Sequence, residues 1–155
     1  EGLCKAVSAK DGYAYVGPAG AGHFVKMVHN GIEYALLQAY GEGFELLYKG
    51  PYKSLDLREI SAAWKNGSII RSYLVELAEE AFKKDSKLKK IEGIVGGGET
   101  GEWTVKTAKE FGVDVGTIKL ALNERKKSRK KPRFAGKVVA AIRYEFGGHE
   151  VVGKK

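Results

Sequence analysis

The strongest constraint on this chain is a helical periodicity that runs from residue 21 to about residue 49. Val25, Val28, Ile32, Ala35, Leu36 and Ala39 recur at steps of three and four, which places them on one stripe of an α-helix. A continuous helix of that span is roughly 40 Å long, at about 1.5 Å per residue. An element of that length crosses a whole small domain, so the other elements must pack along it. Gly31, Gly41 and Gly43 interrupt the pattern. Each weakens the helix, and each is reasonable where another backbone or a ligand comes close.

Around this helix the remaining segments also read as helices and connections. Residues 1–20 contain Gly12, Gly17, Pro18 and Gly20 and read as an extended connector, with Tyr13, Tyr15 and Val16 alternating past smaller residues. Gly50-Pro51 ends the long helix. Asp56 or Ser54 caps a short helix that runs to Trp64, and Asn66-Gly67 ends it. Ser68 caps the next, whose expected buried stripe is Ile70, Tyr73, Leu74, Leu77, Ala78 and Phe82. Residues 83–90 are lysine-rich and read as solvated, and residues 96–98 are a glycine loop. Further helices are expected at 102–111, 115–129 and 133–146, with Gly147-Gly148 closing the last. No strand pattern competes over a useful length, and no internal repeat is present. The expected fold is all-α, with 155 residues forming one domain of ordinary size.

Charge and composition narrow the function classes. Lys plus Arg is 27 against 19 for Asp plus Glu, a net +8, which favours anionic partners without choosing among them. Residues 125–133 hold seven basic side chains but no interleaved aromatics. They read as a solvated helix end, where cations are favoured, rather than a nucleic-acid surface. Three histidines lie without cysteine or carboxylate partners at ligand spacing, so no metal site is expected. No apolar run approaches the roughly 20 residues that span a bilayer. The single cysteine, Cys4, cannot form an internal disulfide, which fits a reducing, cytoplasmic setting. Gly96, Gly98 and Gly101 have the spacing of a dinucleotide loop, but only Ile94-Val95 precedes them and no second strand follows. They read instead as a flexible, substrate-covering loop. His23 reads as packing or capping the helix start, and Trp64 and Trp103 as core or interface anchors.

The segment that carries chemistry is the first half of the long helix. Lys26, His29, Asn30, Glu33 and Tyr34 fall at steps of three and four, on one face nearly opposite the apolar stripe. A plain amphipathic surface helix shows the same split. Its solvated face is usually Glu, Lys, Gln and Arg, whereas here an amine, an imidazole, an amide, a carboxylate and a phenol converge. A lysine acts as general base only when neutral, which burial and a cationic neighbour promote by lowering its pKa from about 10.4. A nearby carboxylate offers the complementary acid. The face suits a two-proton reaction, and the pattern does not say which.

The whole run from Gly22 to Tyr34, Gly-His-Phe-Val-Lys-Met-Val-His-Asn-Gly-Ile-Glu-Tyr, resembles the signature of the 6-phosphogluconate dehydrogenases. Gly22, Lys26 and Asn30 alone fit the wider β-hydroxyacid dehydrogenase superfamily, and His29, Glu33 and Tyr34 narrow it to this branch. Thr100-Gly101-Glu102-Trp103-Thr104 resembles the family's substrate loop, with Arg125 at the family's distance beyond it. Arg143, Phe146, Gly147 and His149 resemble its C-terminal tail motif. The length of this half is similar to the short form, with one helical unit where long forms have two.

The resemblance implies a helical substrate-binding and catalytic domain over residues 21–146, with a tail over 147–155. It makes residues 1–20 the connector from an N-terminal Rossmann domain that is not in this chain and that would bind most of the NAD or NADP. The implied reaction is oxidative decarboxylation of 6-phosphogluconate to ribulose 5-phosphate in the pentose phosphate pathway. Lys26 would take the proton of the 3-hydroxyl and then polarise the keto oxygen, and Glu33 would protonate carbon 1 of the enediol. His29 and Asn30 would orient the hydroxyls and carboxylate, Tyr34 and Arg125 would bind the phosphate, and Thr100 would line the substrate loop. Arg143 and His149 would reach a neighbouring subunit's site, which implies a homodimer. Two positions depart from the pattern: Gly98 stands where long forms carry a phosphate-binding lysine, and Glu102 where a basic residue is common. A related dehydrogenase with another β-hydroxyacid substrate, or a basic helical dimerisation or binding module without catalysis, are the alternative readings.

Overall fold

The computed structural model describes residues 2–153, the Lys5 side chain excepted. These residues form α1 (Gly2–Val7), α2 (Ala21–Lys49), α3 (Leu57–Gly67), α4 (Tyr73–Lys84), α5 (Glu99–Glu110), α6 (Gly116–Ser128) and α7 (Phe134–Gly147). Among the described residues β-pairing is limited to one isolated antiparallel bridge, Ile91 to Gly153. The expected all-α class is the observed one. No described helix is long and apolar enough to cross a membrane.

α2 is continuous through all three glycines and serves as the spine. A Cβ on Gly31 would lie 2.6 Å from Thr104 Cγ2, and one on Gly41 would lie 2.8 Å from the Ala135 carbonyl oxygen. The two bare backbones are therefore where α5 and α7 come close. The C-terminal half of α2 joins α3, α4 and α7 around Leu37, Phe44, Leu77, Phe82, Val138 and Ile142. Phe44 anchors this core, 5.0 Å from the Phe82 ring and 5.4 Å from Trp64. The N-terminal half meets α5 and α6 around a smaller cluster of Tyr34, Ala121 and Leu122, with Val105 packed on it.

The buried face of α2 is not its apolar stripe. Val25, Ile32 and Leu36 are 47%, 51% and 44% exposed, while Gly31, Tyr34, Leu37, Gly41, Phe44 and Glu45 face inward. Periodicity identifies a helix and its faces, but the neighbours decide which face is covered. Here the glycines set that choice, because α5 and α7 can approach only over residues without side chains.

Other boundaries moved for local reasons. Gly2–Val7 is helical where an extended connector is expected, with Leu3 and Val7 exposed. α3 takes Asp56 as its cap, the carboxylate accepting from Arg58 N and Glu59 N at 2.9 and 3.2 Å. α4 starts at Tyr73 because Ser72, not Ser68, caps it, accepting from Val75 N. Ser68 instead accepts from Ile70 N in the preceding turn. Ile70 and Tyr73 thus fall outside the core, while Leu77, Ala78 and Phe82 lie in it. α5 begins at Glu99, directly after the triple glycine, so Thr100 is on a helix. Gly148 ends α7 in the left-handed region at φ 57°, its N–H donating to Tyr144 O.

The α7 N-terminus meets Gly93 backbone to backbone: a Cβ on Gly136 would overlap the Gly93 carbonyl. Gly136→Ala is expected to destabilise the protein by about 1–3 kcal/mol. Gly43→Ala, in open space on the same spine, is expected to stabilise it by about 0.5–1 kcal/mol. Urea unfolding of both variants checks the pair, and equal effects would refute the close contact.

Candidate active site

The inward turn of α2 places its polar residues in a cleft of about 720 Å³. Lys26, Asn30, Glu33 and Tyr34 come from α2, Thr100 from α5 and Arg125 from α6. Arg143 of α7 and His149 beyond its end close the far side. Eight of the nine residues singled out in the sequence therefore line one cleft. His29 lines an adjoining apolar groove with Lys26 and Glu33, beside Val25, Ile32 and Leu36.

Tyr34 is the hub. The Arg125 guanidinium carbon sits 3.6 Å from the centre of its ring, and its hydroxyl is 3.2 Å from Thr100 Oγ1. Gly101 is bare because a Cβ there would lie 2.7 Å from Tyr34 Cε1. α5 is fixed to α2 by Thr104, whose hydroxyl lies 3.0 Å from the Met27 carbonyl oxygen and 2.9 Å from that of Thr100. These contacts hold α2, α5 and α6 in one register beneath the cleft.

Two arginines give the cleft its charge. Arg125 is only 4% exposed, and burial pushes its guanidinium down to about 10, with the neighbouring Arg143 acting in the same direction. Tyr34 and Glu33 act the other way. Arg143 is 9% exposed and is also lowered by burial, with Tyr34, Glu33 and Glu99 opposing. Both remain cationic at neutral pH. His149 sits below the usual imidazole range, through partial burial first and Arg143 second. Two partly desolvated cations in one cleft are stabilised by any anion that enters it.

Lys26 and His29 lie one turn apart, with Lys26 Nζ 3.0 Å from His29 Nδ1. The same Nδ1 is 3.2 Å from Asn30 Oδ1. A ring nitrogen that accepts from the lysine has no proton to give the amide oxygen, so the two contacts are alternatives. Lys26 is exposed, so the helices of this chain do not supply the dry surroundings a neutral amine needs. His23 is exposed too, and α2 begins at Ala21 after Gly20, an N-cap without a side-chain hydrogen bond.

The glycine loop is held rather than loose. Val95 N donates to Ser128 Oγ at 3.0 Å, and Ser128 donates to the Arg125 carbonyl at 2.7 Å. Arg143 Nη1 donates to Gly96 O at 3.0 Å, and Arg129 Nη2 to Gly97 O at 2.6 Å. Gly97 and Gly98 stand at φ 72° and 144°, conformations that favour glycine. With its carbonyls turned to arginines and no strand before it among the described residues, this loop does not fit a dinucleotide. Ser128 and Arg129 were not among the sequence candidates. Their signal was spacing, three and four residues after Arg125 on one helix face, hidden inside a run read as solvated. Much of that run is paired: Lys126 with Glu102 at 2.7 Å, Lys127 with Glu124 at 2.6 Å, and Arg133 with Glu124 and Glu45.

A family model described as the C-terminal domain of 6-phosphogluconate dehydrogenase matches residues 22–149. The chain belongs to this family. It is 52% identical over 145 residues to an NAD(+)-dependent, decarboxylating 6-phosphogluconate dehydrogenase of Haloferax volcanii, covering 93% of this chain and 48% of that protein. It is 46% identical over 149 residues to a putative 6-phosphogluconate dehydrogenase of Bacillus subtilis, covering 96% of this chain and 50% of that protein. A decarboxylating 6-phosphogluconate dehydrogenase of Saccharomyces cerevisiae is 38% identical over 110 residues, 67% of this chain and 22% of the yeast protein. The chain thus spans about half the length of the first two relatives or less of the third. The matched span includes every residue of the cleft named above.

Ser128→Ala is expected to leave the buried Val95 N–H without a partner and to cost about 1–3 kcal/mol in urea unfolding. A loss below experimental error would show that the loop does not depend on this hydroxyl.

Proposed function

We propose that the cleft binds 6-phosphogluconate and supplies the proton-transfer groups for its oxidative decarboxylation to ribulose 5-phosphate. The observation that carries this reading is the shared cleft. It sets an amine and a carboxylate, Lys26 and Glu33, within the same walls as two buried arginines. Substrate phosphate suits the arginine end, with Tyr34 and Thr100 offering hydroxyls beside Arg125. Gly98 brings no cation to this end, where Arg129 donates to Gly97 O and Arg143 to Gly96 O.

Oxidation at carbon 3 needs a hydride acceptor, NAD or NADP, held mainly by residues outside this chain; relatives named for each dependence exist. Lys26 takes the proton of the 3-hydroxyl. It then donates to the keto oxygen while carbon 1 leaves as carbon dioxide and its bond to carbon 2 breaks. Glu33 returns a proton to the former carbon 2, which is carbon 1 of the five-carbon enediol. His29 holds Lys26 through Nδ1, and Asn30 orients the hydroxyls. Bound substrate, by displacing water from the cleft, supplies the desolvation that Lys26 lacks. A homodimer, a cytoplasmic setting and a pentose phosphate pathway role belong to the same reading. A different β-hydroxyacid would use Lys26 and Glu33 alike but would leave the arginine end without its phosphate.

Calorimetric titration with 6-phosphogluconate beside gluconate is the direct test. Preference for the phosphorylated acid is expected, and equal affinity would point to another substrate. In the full-length protein, Lys26→Met is expected to abolish turnover while substrate still binds; near-normal turnover would remove Lys26 as the base. Arg125→Ala is expected to raise KM, and an unchanged KM would exclude the phosphate contact. A bound phosphate favours the charged imidazole, so it should raise the low midpoint of His149. Affinity should then grow as pH falls through the window between the free and bound midpoints. An NMR titration of the His149 ring that shows no shift on ligand addition would place it outside the anion site.

A further inference from the structure

We propose that Arg129 is a positioning residue for the phosphate end of the cleft: by holding the Gly97 carbonyl, it aims the Gly98 N–H at the incoming anion. The proposal rests on the reading of the cleft as the 6-phosphogluconate site.

Arg129 does not itself line the cleft. It closes α6 as its C-cap, behind the wall to which Gly96 and Gly97 belong. In the same basic run Lys126, Lys127 and Arg133 each pair with a carboxylate. Among the described residues Arg129 forms no such ion pair, and its Nη2 donates instead to Gly97 O at 2.6 Å. A charged donor at that distance makes one of the stronger bonds a backbone carbonyl can accept. The guanidinium also stands close over the next residue, where a Cβ on Gly98 would lie 3.9 Å from Arg129 Nη2.

The held carbonyl fixes the amide that follows it. The peptide is trans, and across a trans peptide the C=O and N–H point in opposite directions. With Gly97 O turned to Arg129, the Gly98 N–H is turned away from it, toward the cleft side of the loop. Gly98 is buried, and among the described residues its N–H has no acceptor. Buried backbone donors without a partner are rare, and such a donor gains from any oxygen that reaches it. Two residues on, the Thr100 hydroxyl meets Tyr34, whose ring carries Arg125. The amide thus adds a neutral donor to the end of the cleft where the buried guanidinium stands. Glycines at φ 72° and 144° flank this peptide, and glycine has the widest choice of conformation, so the tie on the carbonyl decides where the amide points.

Two measurements on the full-length protein test this. The Arg129 side chain is exposed, so replacing it removes the tie without opening a cavity. In steady-state kinetics, Arg129→Met is expected to raise the KM for 6-phosphogluconate about tenfold, the loss of one hydrogen bond to a charged group. Its kcat is expected to stay within about twofold of wild type. Arg129→Lys keeps a cationic donor for the carbonyl and is expected to recover most of the KM. A role in stability alone would lower the urea midpoint and leave KM where it was, and that outcome would overturn the proposal. A fall in kcat at constant KM would do the same.

The second measurement needs no turnover. Protein isotopically labelled at its glycine nitrogens is titrated with inorganic phosphate and followed by NMR. The Gly98 amide proton is expected to move downfield in the wild type and to need about tenfold more phosphate in Arg129→Met. A Gly98 amide that does not respond in the wild type, or responds equally in both proteins, would refute the assignment. Wild-type protein that shows the Gly98 shift but turns over no 6-phosphogluconate would defeat the substrate reading alone.

Discussion

A guanidinium stacked on a phenol ring is the contact around which the functional half of this domain is arranged. Arg125 is nearly fully buried, so its charge must be accommodated by what surrounds it. The face of Tyr34 provides part of that. The stack fixes α6 against α2. It leaves Gly101 no side chain and brings Thr100 to the phenol hydroxyl. Ser128, one turn on, ties the same helix to the start of the glycine loop. Substituting the tyrosine would disturb three helices and a loop, as well as a ligand contact.

The second organising feature is the orientation of α2. Its chemically rich face points toward the protein because the C-terminal continuation of that face is the core. Asn30, Tyr34, Leu37, Gly41 and Phe44 form one line along the helix, polar at one end and apolar at the other. The large core therefore holds the helix rigidly, while its N-terminal end projects functional groups into a cleft. A site built on a helix anchored in this way is more precise than one carried on loops.

Much of this was legible in the sequence, and the limits have physical causes. Helix positions came from periodicity and glycine or asparagine stops, so α2, α6 and α7 lie within a residue or two of expectation. The residues of the cleft were found through the signature around Lys26 and the matching Arg125 and tail positions. Local pattern could not assign the covered face of α2, because Val25, Ile32 and Leu36 are as apolar as a core stripe. Nor could it choose between Ser68 and Ser72, which offer the same hydroxyl to different turns. Ser128 and Arg129 act on backbone atoms some thirty residues away, and such pairings are set by tertiary packing alone.

The outward stripe of α2 has a consequence for how this domain responds to temperature. Val25, Ile32 and Leu36 border an apolar groove with Tyr73 and Leu74, open to water in this chain. Covering such a surface releases water from hydrocarbon, and near room temperature that process is driven by entropy with a large negative heat-capacity change. The covering must therefore weaken on cooling. Lys26 lines this groove as well as the cleft, so whatever covers the one would border the other.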